Sequence, residues 1–149
     1  MTISSILRRR TEEFANVSYN NTLARSIGLY SYLPDGLSYL DGAMMAAASD
    51  EAEYTLETAS IHGFNVGSWN ANNNPDGSAW ERNFEGIFAA NLFLKESDEV
   101  DLDYLKYDPT KQQDYQNRLN NIHRWKYEAR FLRAYFYTLL INQYGPVYV

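Results

Sequence analysis

From Lys111 to Tyr144 the chain carries one long helical pattern with a sharp stop, and this stretch constrains the fold more than any other. Tyr115, Leu119, Ile122, Ala129, Leu132, Phe136, Leu139 and Leu140 recur at helical spacing and make a broad apolar face. Gly145 stands where a residue of positive φ closes the last turn, and Pro146 forbids continuation. A β-prone run, Val147 to Val149, follows. Lys126 and Arg133 fall within the same inward row. An unpaired charge there is costly, so Arg133 requires a carboxylate from another element.

Three further helical segments are expected. The first spans Ser4 to Leu33, with Ile6 or Leu7, Phe14, Leu23, Ile27, Tyr30 and Leu33 inward and a break near Asn20-Asn21. A second helix or helical turn is expected at Glu51 to Ala59, and a third helix at Ser78 to Glu96 with Trp80, Phe84, Ile87, Phe88 and Leu92 inward. Pro34-Asp35-Gly36 reads as a turn, and Leu37 to Met45 fits no single class. Ser60 to Ser78 is a long irregular loop, because its glycines, Pro75 and the Asn72-Asn73-Asn74 run all punctuate regular structure. An acidic loop, Ser97 to Thr110, joins the third helix to the last, and two long helices so connected form an antiparallel hairpin. The expected class is all-α, one region over residues 1–149, without a repeat near the tetratricopeptide period.

Composition narrows the function classes. Hydrophobic residues make up 45 % of the chain and aromatics 15 %, ample for a core and contrary to disorder. Thirteen tyrosines exceed what a core needs and imply half-exposed rings. A net charge of −6 disfavours nucleic acid, and the one basic cluster, Arg8-Arg9-Arg10, is offset at once by Glu12 and Glu13. With no cysteine there is neither a disulfide nor a thiolate metal site. The longest apolar run, Ala43 to Ala48, is far shorter than the roughly 20 residues a bilayer span requires. His62 and His123 have no partner at helical spacing, so neither a histidine metal site nor a histidine-based catalytic site is expected.

The loop after residue 60 holds the most suggestive chemistry. Sugar rings present flat C–H faces and a rim of hydroxyls, which an aromatic face and carboxamides can grip together. Trp69 followed by Asn70, Asn72, Asn73 and Asn74 supplies both ingredients within a few residues. The alternative has Trp69 anchoring the loop to the core and the asparagines capping turns. Asp50 and Glu51 form an adjacent carboxylate pair, but neighbours on a helix diverge, which makes a poor glycosidase dyad. Asp50 is instead the expected ion-pair partner of Arg133. The run Asp98, Glu99, Asp101, Asp103 departs from a calcium loop, with Tyr104 at the glycine position and Thr110 at the glutamate position, and reads as a solvated linker.

Three stretches stand in a recognisable order: Ala46 to Ala52 (AAASDEA), Trp80 with Phe84, Ile87, Ala90 and Asn91, and Glu128 to Ala134 (EARFLRA) leading to Tyr144-Gly145. Together they resemble the signature of the SusD/RagB family, the surface glycan-capture lipoproteins of Bacteroidota. The likeness covers about residues 20–149 and only the N-terminal part of a family member, so the chain is expected to be an N-terminal fragment. The resemblance implies a scaffold of tetratricopeptide-like antiparallel hairpins and a surface-exposed place at the outer membrane. It further implies a lipid anchor whose cysteine is not in this chain, and a SusC-like TonB-dependent transporter as partner. The implied activity is non-enzymatic capture of oligosaccharides for import, with no cofactor and with aromatic residues beyond the Ser49-Asp50-Glu51 stretch contributing to the glycan platform. The competing expectation is a helical-hairpin module that binds a protein or peptide, with Trp69 buried.

Overall fold

A computed structural model describes residues 3–148, with side chains from Glu13 onward. The side-chain readings placed on Ile6, Leu7, Arg8 to Arg10 and Glu12 lie outside the described side chains, and Val149 lies outside the described residues. The chain is mostly helical, at 62 %, with five helices and almost no strand among the described residues. These are α1 (Ile3–Gly28), α2 (His62–Asn65), α3 (Ser78–Glu96), α4 (Asp103–Lys106) and α5 (Gln112–Tyr144), with 3-10 turns at Leu29–Tyr32 and Met45–Ala48. No described helix is long and apolar enough to cross a membrane. The chain divides into two compact units, a helical unit (Met1–Tyr32 with Asn83–Val149) and a loop unit (Leu33–Arg82).

The helical unit is organised around α5. Its buried side is Ile122, Trp125, Ala129, Leu132, Phe136 and Leu140, which follows the apolar stripe of the sequence. Gly145 ends the helix with φ 81 and its N–H bonded to the Ile141 carbonyl at 2.9 Å, a conformation that a Cβ would oppose. Gly86 and Asn91 of α3, and Asp98 just beyond its end, meet α5 at Phe136, Arg133 and Lys126 respectively, so the two helices run in opposite directions. α1 runs the same way as α5: Asn16 accepts from Arg118 at 2.7 Å, Tyr19 from Asn121 at 2.9 Å, and Tyr30 donates to Glu128 at 3.3 Å.

Helix positions agree with the sequence better than helix faces do. α3 has the expected bounds, and α1 passes through Asn20-Asn21 without a break. On α1, however, Phe14, Ile27 and Tyr30 are exposed, and Ala15, Thr22 and Ser26 are buried, with Leu29 below them. On α3, Trp80, Phe88 and Leu92 are exposed, while Ala79, Asn83, Ile87, Ala90 and Phe93 are inside, with Ser97 buried just beyond the helix end. On α3 Ile87 is inward as expected, while each of the exposed positions has a buried sequence neighbour. Small side chains let helices approach closely, and buried hydroxyls remain bonded to their own helix: Thr22 donates to the Ser18 carbonyl at 3.0 Å, Ser26 to Leu23 at 2.8 Å.

In the loop unit Glu51 to Ala59 forms no helix; bends and isolated turns stand there, one of them closed by the Ala59 N–H on the Leu56 carbonyl at 3.0 Å. Leu56 is half exposed there, so the segment has no continuous apolar face to bury, and a helix that short is marginal without one. Ala43, Ala47, Ala59 and Ile61 form a small core, with Leu40, Ala48, Tyr54 and Phe64 packed on it. A tight turn organises this core. Leu40 and Ala43 exchange backbone hydrogen bonds across Asp41 and Gly42, which have φ 53 and 81, the geometry favoured by Asp-Gly.

Candidate functional site

The scaffold of the loop unit is a web of side-chain to backbone bonds. The Asp41 carboxylate accepts from both the N–H and the hydroxyl of Ser60, and these bonds, the hydroxyl first, hold it below the usual carboxylate range. Tyr54 donates to the Asp41 carbonyl at 3.1 Å, and Asn65 to that of Ala47 at 2.9 Å. Tyr39 donates to Asp76, which is 3 % exposed. The Arg82 guanidinium lies 5.8 Å from the centre of the Tyr39 ring. Half-burial, then the bond to Asp76, pushes the Tyr39 hydroxyl up to about 12.

Trp69 leaves this scaffold half exposed, at 53 %. Its ring leans on Phe64, 5.8 Å away and inclined by 60°, and Phe64 packs on the small core. The indole is therefore anchored on one side and open to solvent elsewhere. Beyond it, Asn70 and Asn73 exchange backbone bonds at 3.1 and 3.0 Å and close a turn. The Asn70 side-chain oxygen accepts from the N–H groups of Asn72 and Asn73, and that of Asn74 accepts from Asp76 N–H at 3.1 Å. Asn73 donates from its side chain to the Ser68 carbonyl at 3.4 Å. These asparagines thus serve as turn caps. The Asn70 oxygen accepts two bonds and is committed to the turn, that of Asn74 accepts one, and neither side chain's amide N–H groups are used by these bonds. Asn72 is exposed with its carboxamide uncommitted to the turn.

Asp50 and Arg133, expected as an ion pair, fall in different units. Asp50 is exposed in the loop unit. Arg133 is half-buried at the edge of the α5 stripe, and its acceptor is the neutral side chain of Asn91 on α3, at 2.7 Å. A guanidinium in reach of water with a carboxamide acceptor does not require a buried carboxylate, which removes the reason for the Asp50 pairing. Lys126, the other charge in the row, pairs with Asp98 and holds that carboxyl below its ordinary range. Elsewhere in the acidic run, Asp101 accepts from Asp103 N–H at 2.9 Å and opens α4.

A cleft of about 410 Å³ in the helical unit, lined by Asp101, Asp103, Tyr104, Tyr107 and Asp108, was not legible in the sequence. Its Tyr104 ring already carries Lys111, whose ammonium sits 4.5 Å from the ring centre and 3.1 Å from the hydroxyl. The Asp41-Gly42 turn also went unread, although an Asp-Gly pair is a strong tight-turn signal. Comparison with protein-family models, with curated proteins and with solved structures gives no match for this chain.

Proposed function

We propose that this chain captures oligosaccharide without chemical conversion, on a platform formed by Trp69 with Asn70, Asn72, Asn73 and Asn74. The half-exposed indole of Trp69, braced from behind by Phe64, carries this reading. A sugar stacks on the open part of the ring, and the amide groups of the following turn meet its hydroxyls. Because the turn is closed by its own hydrogen bonds, little ordering cost remains for binding. The resemblance to the SusD/RagB family extends the proposal to a lipid-anchored receptor at the outer-membrane surface that serves a SusC-like TonB-dependent transporter. In that reading α3 and α5 are one tetratricopeptide-like hairpin. Arg133 and Asn91, bonded to each other, come from two of the stretches on which the resemblance rests.

Affinity electrophoresis through gels containing a panel of polysaccharides tests the platform. Retardation by at least one glycan is expected, and Trp69→Ala should abolish it while leaving the circular dichroism spectrum intact. Retardation that survives in Trp69→Ala refutes the platform.

A second reading, a protein-binding helical module, is favoured by exposed apolar side chains on α3 and on α5. Phe88 and Phe131 are each 69 % exposed, with Leu92 and Tyr135 beside them in the sequence pattern and Phe131 stacked on Tyr135 at 6.5 Å. That reading expects a buried Trp69, and the indole is half exposed.

A further inference from the structure

The charges of the chain are distributed unequally, and the inequality bears on which sugars the platform admits. Residues 33–82 contain eight carboxylates and a single cationic residue other than His62, which gives the loop unit a net charge of −7 with His62 neutral. The remainder holds twelve Lys and Arg against eleven Asp and Glu, or +1. Seven of the eight loop-unit carboxylates are exposed: Asp35, Asp41, Asp50, Glu51, Glu53, Glu57 and Glu81. The one cation, Arg82, is half-buried with its guanidinium against Tyr39.

We propose that the Trp69 platform is selective for uncharged glycans and excludes chains bearing uronate or sulfate groups; the proposal rests on the capture function argued above. Two physical terms lead to it. Recognition of a carboxylate or sulfate ordinarily uses Arg or Lys, through charge-assisted and bidentate bonds. Nothing between Leu33 and Glu81 can provide one. The amide N–H groups of Asn70 and Asn74 are neutral donors, which satisfy a hydroxyl as well as they satisfy an anion. The second term is the field. A unit of this size has a radius of gyration of roughly 10 Å, and the screening length is about 30 Å at 10 mM salt, so every exposed carboxylate acts at Trp69. Two of them are held firmly ionised: Asp35 by the Ser38 hydroxyl and Leu37 N–H, Asp41 by Ser60. A polyanion is thus repelled by the loop unit on approach and meets no Lys or Arg from Leu33 to Glu81 on arrival.

Biolayer interferometry of the full chain on immobilised dextran, β-glucan, xylan, galactomannan, polygalacturonate and chondroitin sulfate, at 10 and 500 mM NaCl, tests the selectivity. At low salt, at least one neutral glycan should bind, with both polyanions at least about tenfold weaker than it. The triple variant E51K/E53K/E57K, which moves the loop unit from −7 to −1, should keep the neutral affinity and narrow that gap. Should that variant misfold, E51Q/E53Q/E57Q serves instead, with a smaller change in the same direction. A polyanion bound as tightly as the best neutral glycan at low salt overturns the selectivity but leaves the capture function standing. Absence of binding to all six surfaces at both salt concentrations counts against the capture function itself, and the selectivity falls with it.

Discussion

Tyr39 gathers much of the polar chemistry of the loop unit at one hydroxyl, which donates to buried Asp76 while Arg82 lies over the ring. Its titration is raised from 10.0 to about 12, by desolvation first and by Asp76 second. The folded state thus favours the protonated hydroxyl more than the unfolded chain does. A raised folded value means that this contribution is complete below pH 10 and is lost as pH climbs through about 12. Tyr39→Phe should lower stability by about 1–3 kcal/mol, since a buried carboxylate loses a donor. In urea unfolding, the gap between wild type and Tyr39→Phe should hold steady below pH 10 and shrink as pH approaches 12. A gap undiminished across that window would mean that the hydroxyl titrates normally.

At the scale of helices, two glycines predict opposite outcomes for the same substitution. Alanine is intrinsically better than glycine within a helix by about 1 kcal/mol. At Gly28, the last residue of α1, an added Cβ meets nothing within 4 Å. Gly28→Ala should therefore stabilise the fold by about 0.4–1 kcal/mol. At Gly86, the same atom lies 2.8 Å from the Phe136 ring, and Phe136 is fully buried. Overpacking there costs about 1–3 kcal/mol and outweighs the propensity gain, so Gly86→Ala should lower the midpoint of thermal unfolding. A stabilised Gly86→Ala would place α3 farther from α5 than described. These contacts also explain what the sequence concealed. Helix bounds were readable, because Gly145-Pro146 and the flanks of α3 are local signals. The inward faces were not, because hydrophobic periodicity ranks Phe14, Ile27 and Phe88 above Ala15, Ser26 and Gly86. Close helix approach reverses that ranking. Trp69 is legible as a candidate because an aromatic ring among asparagines stands out locally, whereas the Arg133–Asn91 bond depends on the register between two helices.

For the whole molecule, the two units differ in what holds them. The core of the loop unit is three alanines and an isoleucine, with longer side chains only partly buried around it, whereas α5 alone buries Ile122, Trp125, Leu132, Phe136 and Leu140. Apolar burial contributes about 0.8 kcal/mol per CH₂, so the loop unit should open at lower free energy than α5. Its net charge of −7 adds self-repulsion, which salt screens over about 10 Å at 0.1 M and about 3 Å at 1 M. Acid is the wrong probe of that repulsion. Asp35 and Asp41 have folded values lowered below 3.8, so the stability they lend is present above that pH and is lost as pH falls below it. Protonation would relieve repulsion and break the Ser38 and Ser60 bonds in the same window. Salt at neutral pH leaves those bonds in place and acts on the repulsion alone. Hydrogen exchange followed by mass spectrometry should therefore find peptides from Leu40 to Asn73 less protected than those from Ile122 to Leu140. Raising sodium chloride from 0.01 to 0.5 M should slow exchange in the first set and leave the second nearly unchanged. Exchange in the loop unit that ignores salt, or quickens with it, would show that its carboxylates are too far apart to repel, and the same finding would remove the field invoked at Trp69.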